Sequence, residues 1–445
     1  MPTFYLETFG CQMNEHDSEK VAGALVARGY RRVETPEEAD LVLYNTCAVR
    51  EKAERKAFSR LAEWRRGRAN GKVIGVLGCV AQRRGEEIFC RDPHVRLVCG
   101  PPSYRRLPEM LARLEAGERR VTGLETVRGD TFETPLILRD SPFRAYITIV
   151  EGCDKSCAYC VVPSARGRER SRSSASILAE ARQLAEQGYT DVQLLGQNVN
   201  CYRDPAPAGL NFVGLLRRVA EIPGLRRVRF TTSHPRDFVR ETVAAIDAHP
   251  ALADHIHLPV QSGSSRVLAR MQRLYTREDF LERIAWIRSA RRPIAVSTDV
   301  IVGFPGETEA DFEQTLALLE EVRFDSMFSF KYSPRPGTAA LSLDDQVPEE
   351  ERGRRLTVLQ ALQREIQTRR HAGLVGTVHE VLVEGFNPAT GQWIGRTSQN
   401  RVLNFTSAGG PTDALLGRYV EARVTRAGPN SLAGEHAGIE HPGQI

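Results

Sequence analysis

The chain opens by alternating two hydrophobic patterns. TFYLETF (3–9), DLVLYNT (40–46) and KVIGVLG (72–78) are short apolar or period-two runs, whereas SEKVAGALVARG (18–29) and AVREKAERKAFSRLAEW (48–64) read as helices. Asp17 and Ser18 offer caps for the first helix, and Gly29 offers a stop. Strands alternating with helices predict parallel βα units over residues 1–118. The polar segment EAGERRVTGLETVRGDTFETP (115–135) then reads as a linker with some β character.

From FRAYITIV (143–150) the rhythm resumes on a longer scale. DVQLLGQ, RRVRFTT, HIHLPVQ, IAVSTDVIVGF and SMFSFKY complete six strand-like runs, separated by helical stretches such as ASILAEARQLAEQG, RDFVRETVAAID and REDFLERIAWIRSA. Six strands with intervening helices predict a partial parallel barrel within residues 139–370. The charged helical stretch PEEERGRRLTVLQALQREIQTRRHAG leads out of it, and TVHEVLVEGF, GQWIGRTSQ, RVLNFTS and RYVEARVTRA predict a small all-β barrel at 371–437. The expected fold class is therefore α/β: an N-terminal parallel-sheet domain, a central partial (β/α)6 barrel and a small C-terminal β-barrel.

Composition narrows the class. At 445 residues, 41% hydrophobic and 26% charged, the chain reads as globular rather than disordered. No apolar run approaches a bilayer-spanning length, and MPTFYLETFGCQ has no signal-peptide pattern, so no membrane partner and a cytoplasmic location are expected. The net charge of +5 permits nucleic-acid binding without demanding it. Nine cysteines in a reducing compartment point to metal or catalytic chemistry rather than disulfides.

Two sets of cysteines stand out. Cys153, Cys157 and Cys160 follow the first strand of the barrel region, at the carboxyl edge where ligand-binding loops of parallel folds converge. Thiolates favour zinc and iron–sulfur clusters, and three of them would leave one corner of a four-iron cluster open. From spacing alone, a zinc knuckle with a distant fourth ligand and three unrelated thiols both stay open. Cys11, Cys47 and Cys79 each follow one of the first three strands, so the same logic brings them to one crevice; buried core thiols are the alternative. Cys90, Cys99 and Cys201 show no such pattern.

The words GCQMNEHDSE, NTCAVREKAE, GCVAQ, VEGCDKSCAYCVVP, LLGQNVN, FTTSHP, LPVQSGS, STDVIVGFPGETEADF and SPRPGTAA, in this order, resemble the methylthiotransferases of the radical S-adenosylmethionine superfamily. The resemblance covers residues 3–435 and implies an N-terminal methylthiotransferase domain (1–118), a radical S-adenosylmethionine core (139–370) and a TRAM module (371–437). It implies two [4Fe-4S] clusters. One, on Cys153, Cys157 and Cys160, would bind S-adenosylmethionine and generate a 5′-deoxyadenosyl radical. The other, on Cys11, Cys47 and Cys79, would carry the sulfur to be methylated. The implied reaction is replacement of the C2 hydrogen of N6-dimethylallyladenosine beside a tRNA anticodon, by a monomer drawing on a low-potential electron donor. A sister enzyme acting on threonylcarbamoyladenosine or on a ribosomal-protein aspartate shares these words, and a non-catalytic iron–sulfur RNA-binding or electron-carrier protein is the alternative of another class. One departure is VVPSARG, with Ser164 and Ala165 where the family commonly has an aromatic and then Thr.

Other candidates are positional. Tyr159 precedes the last cluster cysteine. Gln197 and Asn198, Ser233, Gln261, Asp299 and Gly303 lie at or near strand ends, where they would hold S-adenosylmethionine or the nucleoside, or else cap helices and loops. RGRERSR (166–172) spaces four arginines two apart, so an extended chain would present a phosphate-binding strip that includes Arg166 and Arg172. Arg396 and Arg401, in the hairpin-like GRTSQNRVLNF, are the remaining candidates for RNA contact.

Overall fold

The computed structural model describes residues 1–66, 71–125, 133–134, 136–407 and 415–440. The linker reading for 115–135 therefore falls partly outside the described residues. Within its described part Val121–Gly123 forms a short strand.

The N-terminal strands are β1 (Thr3–Phe9), β2 (Arg31–Arg32), β3 (Leu41–Thr46), β4 (Val73–Gly78), β5 (Val95–Cys99) and β6 (Val121–Gly123). They form one parallel sheet in the order β2-β1-β3-β4-β5-β6. Both faces carry a core. Val42, Tyr44, Ile74 and Val76 pack on one side, and Phe4, Leu41, Leu43 and Leu97 on the other. Burial on both faces explains why these strands read as nearly continuous apolar runs. The first helix runs Gln12–Ala27, earlier than Asp17 and Ser18 had suggested, because Cys11 is its N-cap.

Strands β7 (Arg144–Thr148), β8 (Val150–Glu151), β9 (Arg170–Ser171), β10 (Asp191–Leu195), β11 (Arg227–Thr231), β12 (His255–His257), β13 (Ala295–Val302) and β14 (Ser326–Lys331) follow. β8 and β9 pair only with each other; the rest form two parallel three-stranded sheets, β11-β10-β7 and β12-β13-β14. Backbone bonds from Val228 N to Ala251 O (2.7 Å) and Ala253 N to Val228 O (3.0 Å) bridge the two sheets. The result is a half-open barrel with β7 and β14 at its edges. RDFVRETVAAID splits into a short turn at Pro235–Asp237 and a helix from Arg240 to Ala248.

The C-terminal strands β15 (Val378–Asn387), β16 (Gln392–Thr397), β17 (Val402–Thr406), β18 (Tyr419–Ala427) and β19 (Leu432–Glu440) close into a barrel ordered β15-β16-β17-β19-β18. This barrel docks on the amino ends of the larger barrel's strands. Arg227 Nη1 donates to Arg396 O at 2.7 Å, Arg229 Nη2 donates to Thr397 O at 2.9 Å, and Arg401 Nη2 pairs with Asp325 Oδ1 at 2.6 Å. Among the described residues no helix is long and apolar enough to cross a membrane.

Candidate active site

Strand register assembles the first cysteine triplet. Phe9 pairs with Thr46, and Thr46 with Gly78, so the three chains leave the sheet side by side. Cys47 and Cys79 come immediately afterwards and Cys11 two residues after Phe9. Cys47 N bonds Phe9 O at 2.9 Å. Gly78 makes the exit from β4 possible: its φ is +91°, and a Cβ there would lie 2.4 Å from both Thr46 O and Asn45 Oδ1. Behind the triplet, Asn45 Nδ2 donates to Asn14 O and Ser18 Oγ, both at 2.9 Å, while the Asn14 side chain accepts from Cys11 N at 3.4 Å. A buried amide network thus fixes the helix start that carries Cys11.

The three thiols interact electrostatically. Cys11 is drawn down to about 6, first by the hydrogen bond from Cys47, with Arg166 and the amides of Asn14 and Met13 assisting against burial. Cys47 is held above its ordinary value by the same hydrogen bond and by burial. Burial raises Cys79, and Arg166, its charge foremost and a hydrogen bond as well, opposes that rise. One low thiol at a helix N-terminus beside a guanidinium is the setting that favours thiolate ligands.

The second triplet lies on the loop after β7 and β8. Gly152 has φ +78°, and a Cβ would meet Arg168 O at 2.1 Å, so only glycine turns the chain into Cys153. Within the loop, Lys155 N lies 3.5 Å from Cys153 Sγ, Val162 N lies 3.4 Å from Cys160 Sγ, and Arg273 Nη1 lies 3.4 Å from Cys157 Sγ. Burial pushes Cys160 up to about 12 and raises Cys153. Tyr159 is half-buried; its hydroxyl accepts from Arg273 Nη1 at 3.4 Å and its ring meets Phe304 edge-on.

Among the described residues no three His, Cys, Asp or Glu side chains gather tightly enough to hold a single ion. A tetrahedral zinc site needs that convergence. A four-iron cluster needs a thiolate at each of three separate corners, which is what two open, partly buried triplets supply. Each set offers three thiols, the soft donors that iron–sulfur clusters take.

The positional candidates divide. Asn198 Nδ2 bonds Asp237 Oδ2 at 2.6 Å, and Lys155 Nζ pairs with the same carboxylate at 2.7 Å. Gln197 Oε1, Asn198 Oδ1 and Ser233 Oγ are buried and have no hydrogen-bond partner among the described residues. Three orphaned polar atoms at the carboxyl ends of β10 and β11 are what a polar ligand would satisfy. Asp299 faces the barrel lumen, 3.5 Å from His257 Nε2. Gln261 bonds along β13, its N reaching Asp299 O at 2.8 Å, and has φ +74°. Gly303 serves a turn, its N bonding Glu307 Oε1 at 2.8 Å.

The arginine strip does not form. Arg166 and Arg172 are each 5% exposed. Arg166 pairs with Asp17 at 2.6 Å, and Arg172 with Glu180 at 2.6 Å. The helix Val162–Arg166 turns the run inward before it becomes extended, so neither residue meets solvent as a phosphate contact. Arg396 is bound to Glu384 at 2.8 Å within the C-terminal barrel, and Arg401 reaches Asp325 across the joint, so both residues expected to contact RNA are engaged in ion pairs. Sequence reading missed Arg273, Asp237 and Asp17: each reaches its site from a different element, and none carries a local spacing signal.

A parallel half-barrel whose first strand runs into Cys-x3-Cys-x2-Cys is the architecture of radical S-adenosylmethionine proteins, and residues 147–319 match the Radical SAM superfamily. Residues 3–100 match the family described as Uncharacterized protein family UPF0004, and residues 373–436 match the TRAM domain. A tRNA-2-methylthio-N(6)-dimethylallyladenosine synthase of Solibacter usitatus is 64% identical over 437 residues, covering 98% of both chains. The protein of the same name from Koribacter versatilis is 59% identical over 438 residues, again covering 98% of each. The chain belongs to the tRNA-2-methylthio-N(6)-dimethylallyladenosine synthases, a methylthiotransferase family of radical S-adenosylmethionine enzymes. The radical S-adenosylmethionine methyltransferase TsrM from Kitasatospora setae, solved with cobalamin and a [4Fe-4S] cluster, shares the fold (TM-score 0.56, 16% identity, 77% of each chain).

Proposed function

We propose that this enzyme places a methylthio group on C2 of N6-dimethylallyladenosine at tRNA position 37, dividing the work among residues 1–118, 139–370 and 371–437. The observation that carries the reading is the pair of converging cysteine triplets in contiguous domains. Val161 and Ala165, just past Cys160, pack into the core of the N-terminal domain, so the two thiol sets sit on either side of one joint. Cys153, Cys157 and Cys160 would hold the cluster that binds S-adenosylmethionine, and Cys11, Cys47 and Cys79 the second cluster. Bound there, these groups supply a hydrogen-abstracting radical and a transferable methylated sulfur, the chemistry an unactivated C–H bond requires.

The chain's own residues bind, orient and shield. Gln197, Asn198 and Ser233 offer the polar contacts for S-adenosylmethionine, with Lys155 and Asp237 fixing Asn198. Tyr159 and Phe304 wall one side of the barrel loop against water. Tyr146 OH donates to Glu15 Oε2 at 2.9 Å and Arg335 pairs with Glu54 at 3.1 Å, holding the two domains together around the site. A cleft of about 630 Å³ beside the TRAM barrel is lined by Arg323, Arg369, Arg370 and Arg401 together with Glu320. Arg369 pairs with Glu320, and Arg370 and Arg401 with Asp325, and the excess of guanidinium groups supports a tRNA phosphate contact.

The test is nucleoside mass spectrometry of tRNA from cells that lack the gene and carry it back as wild type or Cys79→Ala. Wild type restores the methylthio mark on dimethylallyladenosine. Cys79→Ala does not, although the purified variant still cleaves S-adenosylmethionine. A wild-type yield of modified tRNA from Cys79→Ala would overturn the assignment of the second triplet.

A further inference from the structure

We infer that Arg166, a barrel-domain residue, is the charge partner of the Cys11/Cys47/Cys79 centre and tunes the reduction potential of the cluster held there. This rests on the two-cluster reading above. The short helix Val162–Arg166 packs against the helix Cys79–Arg84, and Val161 and Ala165 anchor it in the N-terminal core. Arg166 is thereby driven across the domain joint. One end of its fork bonds Asp17 Oδ2 at 2.6 Å, from the helix that Cys11 caps, while the helix that carries Arg166 lies against the one that begins at Cys79. Arg166 is 5% exposed, and the Asp17 carboxylate is the charge that meets it. A tight, polar recess lined by Asp17, Tyr104, Glu151, Arg166 and Arg170 surrounds the pair.

The barrel centre is built differently. Arg273 lies 3.4 Å from Cys157 Sγ, yet its other partners are neutral: Tyr275 OH at 3.0 Å, Tyr159 OH at 3.4 Å and Pro259 O at 3.1 Å. Among the described residues a buried guanidinium stands beside each triplet, and the contacts of the N-terminal one include a carboxylate whereas those of Arg273 are a thiol, two phenols and a carbonyl. Reducing a cluster adds negative charge. A nearby buried cation favours the reduced form and raises the potential, and a nearby anion does the reverse. Arg166 and Asp17 thus act in opposite senses on one centre, and Arg166 makes that centre's electronics depend on domain docking.

The experiment uses the full chain with Cys153, Cys157 and Cys160 replaced by Ala, so that a single reconstituted cluster is titrated by potentiometry followed by electron paramagnetic resonance. Arg166→Gln is expected to move the midpoint to a more negative potential and Asp17→Asn to a more positive one. Arg166→Lys, which keeps the charge, is expected to stay nearer the parent than Arg166→Gln. Should Arg166→Gln fail to fold, the sign of the Asp17→Asn shift decides alone. Unchanged midpoints, or shifts of the same sign in Arg166→Gln and Asp17→Asn, overturn the inference. A parent that takes up no iron overturns the two-cluster reading itself, and the inference with it.

Discussion

Replacing Gly78 with Ala tests how the N-terminal triplet is built. Gly78 has φ +91° and ψ −162°, a region essentially closed to side chains, and holding a non-glycine residue there costs about 1–3 kcal/mol. The added Cβ also meets Thr46 O and Asn45 Oδ1 at 2.4 Å. Thr46 O belongs to the neighbouring strand and cannot swing away, so crowding adds about 1–3 kcal/mol. The sum, roughly 2–6 kcal/mol, is a large part of the roughly 5–15 kcal/mol that holds a domain folded. Gly188→Ala is the control: φ is +89° but nothing lies within 4 Å of the new Cβ, so only a backbone cost of about 1–2 kcal/mol is expected. Native-state hydrogen exchange reads both, at β3 and β4 for Gly78 and at β10 for Gly188, alongside iron content after anaerobic reconstitution. Gly78→Ala should lose protection in β3 and β4 and take up less iron, because Cys79 follows directly. Equal destabilisation by the two substitutions would refute the claim that close backbone approach, beyond the dihedral angle, demands this glycine.

Two other expectations concern the joints between domains. Burial raises Glu19 to about 7 from 4.5, despite Arg139 nearby. Unfolded, it releases its proton near the lower value while the folded chain retains it, so its contribution to stability is greatest below pH 4.5 and falls as pH rises to 7. A carboxyl held at about 7 rather than 4.5 corresponds to about 3 kcal/mol, so Glu19→Gln should stabilise by up to that amount at pH 8 and little at pH 4, as read by chemical denaturation; the same gain at both pH values would rule this out. Arg229→Met removes the donor to Thr397 O and Ser398 O and leaves the fully buried Asp191 with Arg144 alone, so a loss of about 3 kcal/mol is expected. Limited proteolysis should then release the C-terminal barrel earlier than in wild type, and an unchanged cleavage rate would show that the docking does not depend on this guanidinium.

The sequence by itself determined the strands that carry the cysteines and the chemistry they serve. Apolar runs ending in Cys11, Cys47, Cys79 and Cys153 are local patterns, because a buried parallel strand must be apolar along its length and its ligands can only follow its carboxyl end. Unmarked in the sequence were β2, β5, β9 and β19, which become strands by pairing with neighbours, while β6 falls in the segment read as a linker with some β character. Only the tertiary structure decided what the charged residues do. RGRERSR read as an exposed basic strip, yet Arg166 and Arg172 are interior, because burial of a guanidinium is permitted wherever a carboxylate from another element meets it. Asp17 is 149 residues from Arg166, and Arg273 is 116 from Cys157; no spacing rule spans such separations. Periodicity is a property of one segment, whereas charge pairing belongs to whichever segments the fold brings together.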